Sequence, residues 1–125
     1  MYKLKFEMLK GLTLTAIEGK VGDDTITFTT IDGRCFKLYH DRDCCEYVSV
    51  EDICGDLDDI LNSPILLAEE VTSNENPKGV TKPQFQHTSF TWTFYKIATM
   101  KGSVTIRFYG ESNGYYSESV DFIEV

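Results

Sequence analysis

The chain has 125 residues, 42% of them hydrophobic, including eight Phe, seven Tyr and one Trp. That is the size of one ordinary domain, able to bury roughly two-thirds of its unfolded surface without a disulfide or metal, and too apolar for a disordered chain. Twenty acidic against twelve basic residues give a net charge of −8, which works against direct binding of nucleic acid or an anionic membrane.

Met1-Tyr2-Lys3-Leu4-Lys5-Phe6-Glu7 contains no apolar signal segment, and no run of about 18 apolar residues is present. A soluble protein of the cytosol, with its four cysteines reduced, is the expectation. Along the chain, apolar residues recur with period two, the strand signature. Leu12, Leu14 and Ala16 alternate with Thr13, Thr15 and Ile17. Ile26 and Phe28 then face Phe36 and Leu38 across Ile31-Asp32-Gly33. A two-residue loop would mix the two faces. A three-residue loop ending in Gly33 pairs Phe28 with Phe36 and Ile26 with Leu38, and gives the left-handed position to glycine.

Ile53, Leu57, Ile60 and Leu61 break that period, falling at i, i+4, i+7 and i+8. This spacing predicts a short α-helix, with Glu51 and Asp52 near its positive end and Asn62-Ser63-Pro64 stopping it. Gly55 weakens the prediction, and a helix this short needs packing on a sheet. Ile65 to Ala68 resumes as a strand. Thr72 to His87 reads as a long irregular loop. Phe90 to Ile97 is a strand rich in β-formers, turning near Met100-Lys101-Gly102 into Val104 to Phe108. Ser112-Asn113-Gly114 predicts a last hairpin that pairs Ile106 with Val120 and Val104 with Phe122. The fold class expected is α+β in a single domain over residues 1–125: antiparallel β-hairpins and a meander, with one short α-helix packed on the sheet.

His40-Asp41-Arg42-Asp43-Cys44-Cys45-Glu46 is the richest chemical cluster. Imidazole, thiolate and carboxylate all bind zinc, but adjacent cysteines lack the usual spacing and would point to opposite faces of a strand. One then belongs in the core and the other near the surface. Neither His40 nor His87 stands beside a nucleophile motif, and there is no phosphate-binding glycine loop. The expectation is no enzyme, no cofactor and no metal. Between Asp41 and Asp59 the local charge is −7. Asp58 and Asp59 lie at the C-terminal end of the expected helix, where negative charge is unfavourable. The plain reading is a solvated face; the sharper one is a surface for a basic partner. Tyr115 and Tyr116 adjoin an expected turn and form a second candidate surface. The candidate partner-binding residues are Asp41, Asp43, Glu46, Asp56, Asp58, Asp59, Tyr115 and Tyr116.

Two stretches, Asp43-Cys44-Cys45-Glu46-Tyr47-Val48-Ser49-Val50-Glu51-Asp52-Ile53-Cys54 running on through Ser63-Pro64-Ile65-Leu66-Leu67-Ala68, and Thr91-Trp92-Thr93-Phe94-Tyr95-Lys96 through Gly114-Tyr115-Tyr116 to Phe122, resemble a family of small uncharacterised proteins of tailed bacteriophages and prophages. The resemblance implies a phage or bacterial cytoplasmic setting and no reaction. The function expected is therefore a non-enzymatic accessory protein that binds a host or phage protein, blocking a bacterial defence factor being one version. It would be a monomer or homodimer, with no direct nucleic-acid or membrane contact. Two alternatives stand beside it. One is a small-ligand module holding a nucleotide or metabolite between the sheet and the 72–87 loop. The other is a metal protein using His40 with Cys44 or Cys45.

Overall fold

A computed structural model describes residues 3–80 and 89–125. Eight strands run in chain order: β1 (Leu14–Glu18), β2 (Thr25–Thr30), β3 (Cys35–Tyr39), β4 (Tyr47–Cys54), β5 (Leu67–Ser73), β6 (Ser89–Thr99), β7 (Gly102–Ser112) and β8 (Asp121–Glu124). They form two antiparallel four-stranded sheets, ordered β1-β2-β3-β8 and β4-β7-β6-β5. The β2–β3 hairpin has the expected register, Phe28 against Phe36 and Ile26 against Leu38, and Gly33 takes φ +89°. The long β6–β7 hairpin also forms where β-propensity placed it, closing with Thr99 opposite Gly102.

Two expectations fail. The fold is not α+β with a packed helix: among the described residues there is no α-helix, only 3₁₀ turns at Phe6–Leu9 and Leu57–Ile60. Val48, Val50 and Ile53 extend β4 along β7, with a bulge between Val50 and Asp52 that accommodates Glu51. Pairing with a strand more than fifty residues away outweighs the local helical spacing. Gly55 then turns the chain at φ +105°, with Ser103 O only 2.6 Å from where a Cβ would stand. The Leu57–Ile60 turn is capped by the Asp56 side chain, which accepts from the Asp58 backbone N–H, and it buries Ile60.

The last hairpin also fails. β7 lies between β4 and β6, so Ile106 faces Ile53 and Tyr95. β8 crosses to the other sheet, where Phe122 opposes Leu38. Asn113 makes a local turn by accepting from the Tyr115 N–H. Buried Glu118 then ties the departing chain down by accepting from the Thr91 and Ser112 hydroxyls. Of the expected 72–87 loop, Thr72 and Ser73 belong to β5, and residues 81–88, including His87, lie outside the described residues.

One core lies between the sheets, fed by the inward rows Ile26–Phe28, Phe36–Leu38, Val48–Val50, Tyr95–Ile97 and Ile106–Phe108. Phe6 plugs it, with ring centroids 4.7 Å from Tyr95 and 5.3 Å from Phe122, so the first 3₁₀ turn bridges both sheets. Burying one such ring is worth about 1.5–3 kcal/mol. Backbone bonds stitch the layers at their edges: Asn62 N–H to Leu14 O, Leu4 N–H to Phe122 O, Gly22 N–H to Val50 O and Val50 N–H to Asp23 O. On the outer face of the second sheet, Trp92 is fully buried, 4.7 Å from the Tyr109 ring and beneath the Arg107 guanidinium. Its Nε1–H donates to Asn76. Arg107 is held by Glu51 at 2.6 Å and Asp52 at 3.7 Å, so neither acid has a helix end to stabilise. No helix among the described residues is long and apolar enough to cross a membrane.

Candidate functional site

The inward alternation of two strands sets up the site. Phe36 and Leu38 point into the core, and His40 continues their row just beyond β3. Val48 and Val50 point inward, and Glu46 continues their row just before β4. The result is that Glu46, an acid in an acidic run, is fully buried. Its carboxylate accepts from the Asp43 N–H at 3.0 Å and the Cys44 N–H at 2.8 Å. His40 Nε2 lies 2.9 Å from its Oε2. Desolvation pushes the Glu46 carboxyl up, but the backbone donors of Asp43 and Cys44 and the His40 ring together lower it further, to about 2.

His40 has a side chain only 5% exposed. Its Nδ1 lies 2.6 Å from Ser119 O. Ser119 O and the Glu46 carboxylate are both acceptors, and each ring nitrogen of His40 faces one of them. His40 thus acts as a clasp between the 41–46 loop and the chain that leads into β8.

Around this clasp lies a polar cleft of about 330 Å³, lined by Asp23, Asp24, Arg42, Tyr47 and Ser49 among others. A smaller depression of about 250 Å³, lined by Asp41, Arg42, Asp43 and Ser117, adjoins it. Arg42 donates through Nε to Cys44 O at 3.1 Å and has no ion-pair partner among the described residues. Asp41, Asp43, Cys44 and Cys45 are all exposed, and the two sulfurs are joined as a disulfide between neighbours. The expected split, with one thiol in the core and the other near the surface, is not found, since both residues are exposed. Cys35 is half-buried and Cys54 exposed. Among the described residues no group of three or more His, Cys, Asp or Glu side chains is placed to hold a metal ion.

Through His40 and Ser119 the acidic loop meets the tyrosine loop. Tyr115 is 83% exposed, and its ring stands edge-on to Tyr116, 5.0 Å between centroids and 82° between planes. Asp41, Asp43, Tyr115 and Tyr116 therefore share one end of the molecule. Asp56, Asp58 and Asp59 are exposed but sit at the far end of β4, beside the β6–β7 turn. The seven steps from Tyr47 to Cys54 separate the two groups by roughly 23 Å at strand rise. The acids between Asp41 and Asp59 do not make one face, and Glu46 is not on the surface at all. Arg42, Tyr47 and Ser119 are site residues that sequence reasoning missed. The row Glu46–Val48–Val50 is the signal that marks Glu46 as inward.

The fold and site together define an all-β sandwich whose two sheets meet at a clasped polar cleft beside an aromatic pair, Tyr115 exposed and Tyr116 half-buried. The chain belongs to the DUF7448 family, a domain of unknown function, whose pattern matches residues 7–122. No curated protein matches the chain, and no solved structure does.

Proposed function

We propose that this protein is a non-enzymatic binding protein whose partner docks on the end formed by the 41–47 and 113–119 loops. The observation that carries the reading is exposed Tyr115, its ring set edge-on against half-buried Tyr116 beside the acidic loop, which the bond between His40 and Ser119 holds in place. Rigid exposed tyrosines rimmed by charge suit a protein interface, because two side-chain torsions cost little entropy to fix. The partner is a host or phage protein with a basic rim, and the setting is a phage or prophage product in the bacterial cytoplasm. The resemblance of the 43–68 and 91–122 stretches supports that setting. Countering a host defence factor is one role of this kind.

The test is affinity purification of the tagged protein from phage-infected bacteria, followed by binding kinetics with the protein recovered. Tyr115→Ala should weaken the complex at least tenfold. Asp41→Lys with Asp43→Lys should slow association and flatten its salt dependence. Reversing Asp56, Asp58 and Asp59 should change neither, since they lie at the other end. A complex indifferent to the first two changes, or sensitive only to the third, defeats the proposal. A second reading rests on the 330 Å³ cleft and the unpaired guanidinium of Arg42: a small anionic metabolite bound there would raise the melting temperature, and Arg42→Ala would abolish the rise.

A further inference from the structure

Ser112-Asn113-Gly114 has the chemistry of a hairpin turn but closes no hairpin. Asn113 is exposed, and of the four asparagines in the chain it alone precedes glycine. The others precede Ser63, Glu75 and Pro77, where a side chain crowds the next backbone nitrogen or a proline ring takes the place of its hydrogen. At Gly114 the space where a Cβ would stand is open. Nothing there screens the backbone nitrogen from the Asn113 side chain.

Three contacts converge on this pair of residues. Asn113 Oδ1 accepts from the Tyr115 N–H at 2.9 Å, which folds the side-chain carbonyl back towards the Gly114 peptide and polarises it. The Gly114 N–H donates to Ser112 Oγ at 3.0 Å. The Ser112 hydroxyl in turn donates to buried Glu118, whose other oxygen accepts from the Thr91 hydroxyl at 2.8 Å. A hydroxyl can accept one proton while giving up another, so the Gly114 amide proton has a path to a carboxylate. Asn113 Nδ2 has no hydrogen-bond partner among the described residues.

We propose that Asn113 is a site of self-modification, in which the Gly114 nitrogen closes on the Asn113 side-chain amide. A bond forms between Gly114 N and Asn113 Cγ while the amide proton passes through Ser112 to Glu118. The Tyr115 N–H stabilises the negative charge that gathers on Oδ1. The Cγ–Nδ2 bond then breaks, the departing nitrogen takes up the proton, and ammonia leaves a cyclic succinimide. Solvent water adds to one of the two ring carbonyls and opens the ring to an aspartyl or an isoaspartyl linkage. The net change is hydrolysis of one amide, with no oxidant or reductant. Either product places a new negative charge beside Tyr115, and the isoaspartyl form lengthens the backbone of the 113–119 loop. Each chain reacts once, and the chemistry stands whether or not that end docks a partner.

The intact folded protein, held at neutral pH, is followed by peptide mass spectrometry and by labelling with an isoaspartyl methyltransferase. Asn113 should convert while Asn62 and Asn74 do not, and it should convert faster in the folded protein than in a capped peptide spanning residues 111–116. Ser112→Ala and Glu118→Gln should each slow conversion about tenfold or more. Their combination should be no slower than either alone, because the two side chains act as one relay. Ser112→Thr keeps the hydroxyl and should restore most of the rate. Thr91→Val removes only the hydroxyl off the path and should leave the rate unchanged. If Glu118→Gln does not fold, Ser112→Ala and the peptide comparison decide the matter. A folded protein that converts no faster than the peptide would show that these bonds merely hold the turn, and would overturn the proposal; so would an unchanged rate in Ser112→Ala.

Discussion

Replacing His40 by phenylalanine tests whether the clasp orders the docking end. Phenylalanine keeps a ring in the space between the sheets and removes both nitrogens. Two acceptors, the Ser119 carbonyl 2.6 Å away and a carboxylate oxygen 2.9 Å away, then lose their donor. A buried acceptor without a donor costs about 1–3 kcal/mol, so the pair sets a ceiling of about 6 kcal/mol. The flanking loop is exposed from Asp41 to Cys45, so water can replace part of what is lost, and about 2–3 kcal/mol is expected. For a domain of this length that lowers the melting temperature by roughly 10 °C. His40→Gln should lie between, since one amide nitrogen can serve one acceptor well but not both. Urea and thermal unfolding give the magnitude, and amide NMR gives the location: shifts should concentrate in residues 41–46 and 113–119. A His40→Phe protein as stable as the wild type, or one whose tyrosine loop is unperturbed, would refute the clasp and remove the rigidity on which the proposed docking surface depends.

Two further outcomes follow from the same architecture. The Glu46 carboxyl titrates at about 2 in the folded chain against an ordinary 4.5, so its contribution to stability is present above about pH 4.5 and is lost as pH falls through about 2. Glu46→Gln should therefore flatten the decline of the urea midpoint between those pH values; parallel pH profiles for variant and wild type would contradict the assignment. Phe36 and Phe122 stack at 5.5 Å with 13° between their planes, because β8 pairs with β3. A double-mutant cycle of Phe36→Leu and Phe122→Leu should give a coupling of about 0.5–1.5 kcal/mol, and additive effects would return β8 to the hairpin with β7.

The elements that could be read from the sequence are those whose partners lie close in the chain. The β2–β3 register follows from a three-residue loop and two matched faces. The β6–β7 hairpin follows from a long β-rich run and a short turn. Where the partner is remote, local pattern misleads. Four apolar residues from Ile53 to Leu61 fit a helix, yet β4 is decided by β7, and Gly55 is needed at a positive φ where a helix could not tolerate it. Ser112-Asn113-Gly114 carries hairpin chemistry, yet β8 finds its place beside β3, more than eighty residues back. A turn signal says that the chain bends, not which sheet it rejoins.

The site was half visible for the same reason. Charge counting marked Glu46 as part of an acidic surface, but strand period places it on the inward row with Val48 and Val50. A carboxylate there is tolerable only if its neighbours supply donors, and the Asp43 and Cys44 amides and His40 do so. Burying that one acid has a consequence for the exposed ones. It fixes the 41–46 loop against the chain entering β8, and so brings Asp41 and Asp43 to the same end as Tyr115 and Tyr116. Asp56, Asp58 and Asp59 have no comparable anchor to that end. What the acidic run contributes to recognition therefore depends less on its net charge than on the single carboxylate that never meets solvent.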